Sequence, residues 1–356
     1  MILNAGVNTS IDILPILFIP QSCKKIIKSS GDVFGTFLRP LIDELECLYV
    51  NGVNVAYEYP LGSIFDDPAE HSKICTMRAM VMMVTGDHPA QCKIGLVKNG
   101  GQEFCRRDMA HATLVKDGSS NIGRYVYDEN RFQTRFPPVK RRVDDMAASL
   151  IEAKRCCTQA EKEEVWKQSG LSGESILWRL YDLYGFNISL DLVFDVMHTL
   201  SLNVFKKYIG SLLKEANATV KRQIDEAVKT LSTLVPESIR HGRWPNCPSL
   251  YHESFKAEEN QKFIQWCLPY ILRITDGISP EMQILGVLLI DIAHCFYNYS
   301  RDYGWSLNDI NAIRTLLQSW RIRKEEAFGA NSSTLEHVAG TIKLYKLYTS
   351  IFLFFN

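Results

Sequence analysis

The chain has 356 residues, 46% apolar and 22% charged, an ordinary globular composition with room for a substantial core and for one to three domains. Cations and anions balance at 40 each, which excludes a highly basic nucleic-acid coat and leaves any DNA contact to local patches. Ten cysteines contain no C-x-x-C pair, and the apolar N-terminus carries Asn8 and Asp12 in place of a basic leader, so free thiols in a reducing compartment are expected.

In chain order, residues 1–20 read as strand and loop. Residues 34–50 place Phe37, Leu38, Leu41, Leu45 and Leu48 at three/four spacing, which predicts a helix ended by Asn51-Gly52. Residues 53–59 alternate like a strand, and 75–85 form an apolar strand that stops at Asp87. The segment 99–140 reads as loop, with turn signals at Asn99-Gly100-Gly101 and Asp117-Gly118-Ser119-Ser120. Beyond 141 the apolar spacing predicts helices over roughly 143–155, 158–168, 173–183, 189–215, 217–234, 254–274, 280–300, 306–327 and 333–348. The apolar end, 348–356, is too short to cross a bilayer. No membrane partner is expected.

Several positions carry chemistry. A strand that delivers Asp87 at its tip is one way to hold a hard divalent cation, while Gly86-Asp87-His88-Pro89 is also good turn chemistry. Asp195 and His198 share a helix face and could orient each other or bind one metal; a capping Asp beside a buried His is the ordinary alternative. In the helix after Ser254, Glu259 falls in line with Phe255, Phe263, Trp266 and Tyr270, whereas Glu258 falls with Gln261, Lys262 and Gln265. Glu259 is therefore expected on the buried stripe, where a carboxylate must be paired, protonated or bound to a cation. Cys105, Asp108 and His111 are spaced like part of a metal site, a weaker pattern than C-x-x-C. Two basic-aromatic segments suit phosphate contacts. One runs from Arg131 through Arg135, Lys140 and Arg141 to Arg142; the other is Arg240-His241-Gly242-Arg243-Trp244. Each could equally be a solvated face.

Five pieces in this order are similar to the transposases of CACTA-type DNA elements, a branch of the DDE transposases. They are Phe37-Leu38-Arg39-Pro40-Leu41-Ile42-Asp43-Glu44-Leu45, Gly86-Asp87-His88-Pro89-Ala90, Cys105-Arg106-Arg107, Asp195-Val196-Met197-His198 and Phe255-Lys256-Ala257-Glu258-Glu259. The resemblance runs from about 33 to 275, more loosely to 340. It implies an α/β fold: a partial RNase H-like core over 1–135, a helical insertion over 136–250 with a degenerate zinc site, a C-terminal helical part over 251–345 and a tail over 346–356. It further implies a nuclear protein that contacts DNA and associates with its own copies. In that family two Asp and one Glu hold two divalent ions, usually Mg²⁺, for phosphodiester cutting and joining. Asp87 would be the second Asp and Glu259 the Glu. Cys105, Asp108, His198 and His241 would be what remains of a Zn²⁺ subsite. The family's first catalytic Asp has no convincing match, and neither does its N-terminal DNA-binding region. A truncated or decayed, inactive copy is therefore the expectation. Two alternatives stay open: a host-retained, non-catalytic module for DNA or protein binding, and an unrelated helical interaction protein in which Glu259 is a core salt-bridge partner.

Overall fold

The computed structural model describes residues 33–58, 72–98, 112–116, 123–127, 141–193, 195–297 and 306–328. Helices account for 71% of the described residues. The described strands form two separate antiparallel hairpins, β1 (Val53–Glu58) with β2 (Ser72–Met77) and β3 (Ala112–Lys116) with β4 (Gly123–Tyr127). Between residues 141 and 328 the described residues contain no strand, as the 3.6-residue spacing there requires. The hairpin β3–β4 corrects the loop expected over 99–140. Asp117-Gly118-Ser119-Ser120 lies between its strands, so the turn signal was there and the short flanking pairs were the part not read. The apolar tail and the helix expected over 333–348 lie outside the described residues, and no described helix is long and apolar enough to cross a membrane.

The chain divides into two compact units whose borders differ from those drawn at 135 and 250. One comprises 1–85, 89–99 and 141–193; the other comprises 86–88, 100–140 and 194–356. In the first unit, α1 (Val33–Val50) carries Ile42 into a core shared with α2 (His88–Gly95), α3 (Val143–Arg155), α4 (Gln159–Ser169) and α5 (Trp178–Tyr184). Asn51-Gly52 ends α1 as expected, with Gly52 at φ +71°. The limits of α4 are written in its sequence: Thr158 Oγ1 accepts from Glu161 N at 3.2 Å, Glu161 Oε2 accepts from Thr158 N at 3.0 Å, and Gly170 closes the helix at φ +72°. Arg179 of α5 holds α1 by donating to Glu46 and to Asp43, the latter at 2.7 Å.

The second unit is a helical cluster. It contains a π-helical segment, π1 (Met197–Phe205), that runs into α6 (Lys206–Glu215), followed by α7 (Ala218–Leu234). Next comes a continuous helical run of α8 (Ala257–Lys262), a second π segment, π2 (Phe263–Cys267), and α9 (Leu268–Ile274); α10 (Pro280–Tyr297) and α11 (Leu307–Phe328) complete it. Phe205, Ile209, Ile224, Phe263, Ile264, Leu268, Ile271 and Leu289 are fully buried in its core. Tyr208 is buried there as well. Its hydroxyl donates to the Met282 carbonyl at 2.7 Å, and burial pushes its ionisation well above the ordinary tyrosine range. Gly286 permits that approach: a Cβ there would overlap the Tyr208 hydroxyl and sit 3.1 Å from Leu272 Cδ1. Gly286→Ala is therefore expected to destabilise the protein by about 1–3 kcal/mol. Urea unfolding should show a smaller penalty when the same change is made in a Tyr208→Phe background.

Candidate functional site

The segment leading to Asp87 is not the continuous buried strand expected over 75–85. Strand β2 stops at Met77, Met80, Met82 and Met83 are exposed, and Val84 alone resumes pairing through a parallel bridge to Leu192. An apolar run becomes a strand only where a neighbouring chain takes up its backbone groups, and here that neighbour serves one residue: Val84 N donates to Asp191 O at 2.8 Å and Val193 N donates to Val84 O at 3.0 Å. Asp87 follows, half-buried, directly before α2. Residues 86–88 belong to the second unit, although 89–99 and the chain up to 85 belong to the first.

In the second unit, Asp195 stands before π1. Its Oδ1 accepts from Met197 N at 2.8 Å, and its Oδ2 meets His198 Nδ1. The pair is thus both a helix cap and an oriented imidazole, so each of the two sequence readings describes part of it. Three residues on, Ser201 is fully buried and shares a 2.7 Å hydrogen bond with the Tyr297 hydroxyl. Helix α8 packs against this same π1 segment.

The helical phase of Glu258 and Glu259 differs from the expectation. Glu259 and Glu258 are both half-buried, and the inward row is Asn260, Phe263, Ile264, Cys267, Leu268 and Ile271. Lys262 and Gln265, expected on the wet face, are buried, while Trp266 and Tyr270 are only half-buried. The inward row keeps regular 3.6-residue spacing and lies about one residue's turn away from the row expected through Glu259, Trp266 and Tyr270, and with Lys262 and Gln265 buried as well the run is covered on more than one side. Glu259 Oε2 accepts from Lys256 N at 2.9 Å and so closes the N-terminus of its own helix. Glu258 Oε1 pairs with Lys262 Nζ at 2.9 Å. The bond from Lys262 leads in holding the Glu258 carboxyl below the usual carboxylate range, helped by the backbone N–H of Arg243.

The second basic segment is described in full. Arg240, His241 and Arg243 are exposed, and Trp244 packs against the core with its indole N–H 3.4 Å from the Val228 carbonyl. The first basic segment fares differently. Arg131, Arg135 and Lys140 lie outside the described residues, as do Cys105 and Asp108. Arg141 is 7% exposed and its guanidinium donates to the Ser169 carbonyl at 2.6 Å, satisfying the end of α4. Arg142 is exposed and paired with Asp144 at 3.1 Å. No group of three His, Cys, Asp or Glu side chains among the described residues is arranged to hold a metal. Of the zinc candidates, His198 faces Asp195, and His241 is exposed while its carbonyl accepts from Lys262.

One residue escaped the sequence reading. Asn260 is 0% exposed, and neither its amide nitrogen nor its oxygen has a partner. Its signal was available, since 260, 263, 264, 267, 268 and 271 share one helix face.

Compared with family models, with curated proteins and with solved structures, the chain matches none.

The Glu258 pairing has a pH consequence. A carboxylate whose folded pKa lies below its unfolded value contributes stability above the unfolded pKa and loses it as pH falls through the folded one. Glu258→Gln is thus expected to be less stable than the parent at neutral pH. The gap should close as pH falls below 4.5, the group's ordinary value, in thermal melts recorded across that range.

Proposed function

We propose that this chain is a transposase-derived protein that contacts DNA without cutting it. The observation that carries the reading is the membership of residues 86–88. This triplet leaves its flanking segments to join the unit that also holds Asp195, His198 and the Glu258-Glu259 helix. Those residues come from three of the five pieces of the resemblance; the first of the three is divided, since Pro89-Ala90 fall in the first unit, and it lies more than a hundred positions from the others. An RNase H-like ancestry of the α/β front part belongs to the same proposal.

The acids support contact rather than cleavage. Two-metal chemistry needs several carboxylates with free oxygens on shared ions. Among the described residues, Glu259 spends Oε2 on its helix end, Asp195 is bound by Met197 N and His198, and Asp43 is bound by Arg179 in the first unit. This donor set does not fit a two-metal centre. Purified protein is expected to bind duplex DNA with affinity that falls steeply between about 50 and 200 mM salt. It is expected to leave supercoiled plasmid uncut in Mg²⁺ or Mn²⁺. Metal-dependent nicking that disappears in Asp87→Asn would overturn the non-cleaving reading, and salt-independent or absent DNA binding would overturn the DNA reading.

A second reading, a protein-interaction module that associates with its own copies, is favoured by one observation. Ile74, Met77, Met80, Met82 and Met83 are exposed close together in sequence, and methionine suits adaptable apolar contacts. Light scattering should then show a dimer or larger species that returns to monomer when Met80, Met82 and Met83 are changed to Gln. A monomer throughout would remove this reading.

A further inference from the structure

Resting on the DNA-contacting reading above, we propose that the loop Arg240-His241-Gly242-Arg243 is the phosphate-contacting element of the second unit, held in shape by Glu258 and Lys262. The loop leaves a single-turn helix, Glu237–Arg240, at the C-terminal end of α7, where Arg240 Nη1 donates to the Ser232 carbonyl at 3.0 Å. On the other side Trp244 is seated on α7, and Pro245 is buried. Beyond it, Asp225 of α7 accepts from Ser249 N at 3.0 Å and binds Cys247 Sγ at 3.4 Å. Both flanks of the loop are therefore fixed to one helix.

The middle of the loop is fixed to another. Lys262 is buried, yet its ammonium donates outward to the His241 carbonyl and pairs with Glu258. Gly242 has φ +83°, and a Cβ on it would run into the Glu258 carboxylate. Burying an ammonium is costly unless it is paired. Here the pair is spent on the backbone of an exposed turn that carries two arginines and a histidine. Glu258 pairs with Lys262 and also accepts from the Arg243 backbone N–H, with the Arg243 charge close enough to act on it, while among the described residues neither the Arg240 nor the Arg243 guanidinium forms a salt bridge with a carboxylate. Two guanidiniums and an imidazole on a braced turn, in a chain of zero net charge, form the kind of local patch to which phosphodiester contact is confined. A braced turn loses little freedom on binding, which is what separates a contact element from a solvated basic face.

The test is fluorescence polarisation with a labelled mixed-sequence duplex over a salt series, with the fold of each variant checked by circular dichroism. The double variant Arg240→Ala/Arg243→Ala is expected to bind roughly tenfold or more weakly. Its salt slope should fall by about 2, near 0.9 for each phosphate released. Gly242→Ala keeps every charge. It is expected to bind more weakly with the parental slope, because only the brace is disturbed. If the parent binds and the double variant matches it in affinity and slope, the loop is not the contact, while the DNA reading stands. If the parent shows no salt-dependent binding, both fall. Polyglutamate that competes as well as duplex at equal charge would make the loop a site for acidic protein, and overturn the proposal. Unchanged affinity in Gly242→Ala would overturn the role of Glu258 and Lys262.

Discussion

One helical run, 257–274, has to serve several neighbours at once. Its first part packs against π1, its middle against α7 and α10, and its last part again against α7 and α10. A regular helix offers a single apolar stripe in a fixed direction. Phe263, Ile264, Cys267, Leu268 and Ile271 form that stripe, within a run that carries a π turn at Phe263–Cys267. Lys262 and Gln265 are buried on another side of the run, and Asn260 is buried on the stripe without a partner. Much of what is distinctive in the second unit goes with burial on more than one side of this run: the buried ammonium, the carboxylate paired to it and the bracing of the loop above it.

Charge in this unit is largely committed to backbone. Glu259 closes α8, Asp195 closes π1, Asp225 closes the short helix at 248–251, and Lys262 reaches a loop carbonyl. Each bond satisfies a polar group that a helix end or a turn would otherwise leave bare. The exposed arginines of the turn beside α8 sit next to Glu258, whose carboxylate pairs with Lys262 and accepts from the Arg243 backbone N–H.

The helical part of the fold was legible because it is locally encoded. The spacing of Leu41, Leu45 and Leu48 gave α1, Asn51-Gly52 gave its end, and the limits of α3, α4 and α7 fell within a residue or two of the expected ones. Elements whose shape depends on distant partners were less legible. The run from Cys75 to Thr85 looked like one strand, but how far it pairs is set by Asp191 to Val193, a hundred positions away. The buried row at 260, 263, 264, 267, 268 and 271 and the row expected at 255, 259, 263, 266 and 270 are equally regular, and spacing alone does not say which of them a neighbour covers. The Arg141 side chain could not be told from a surface cation, since its burial depends on the end of α4 at Ser169.

The brace on the basic turn joins residues about twenty positions apart through side chains rather than through a ladder of neighbouring bonds. Closing such a loop costs chain entropy before any contact repays it. Until α8 has docked, Lys262 has no fixed carbonyl to reach, and the cations of the turn point in no common direction. The electrostatic face of the second unit therefore exists only with α8 docked, and a partly folded chain carries the same charges without the field they make when assembled.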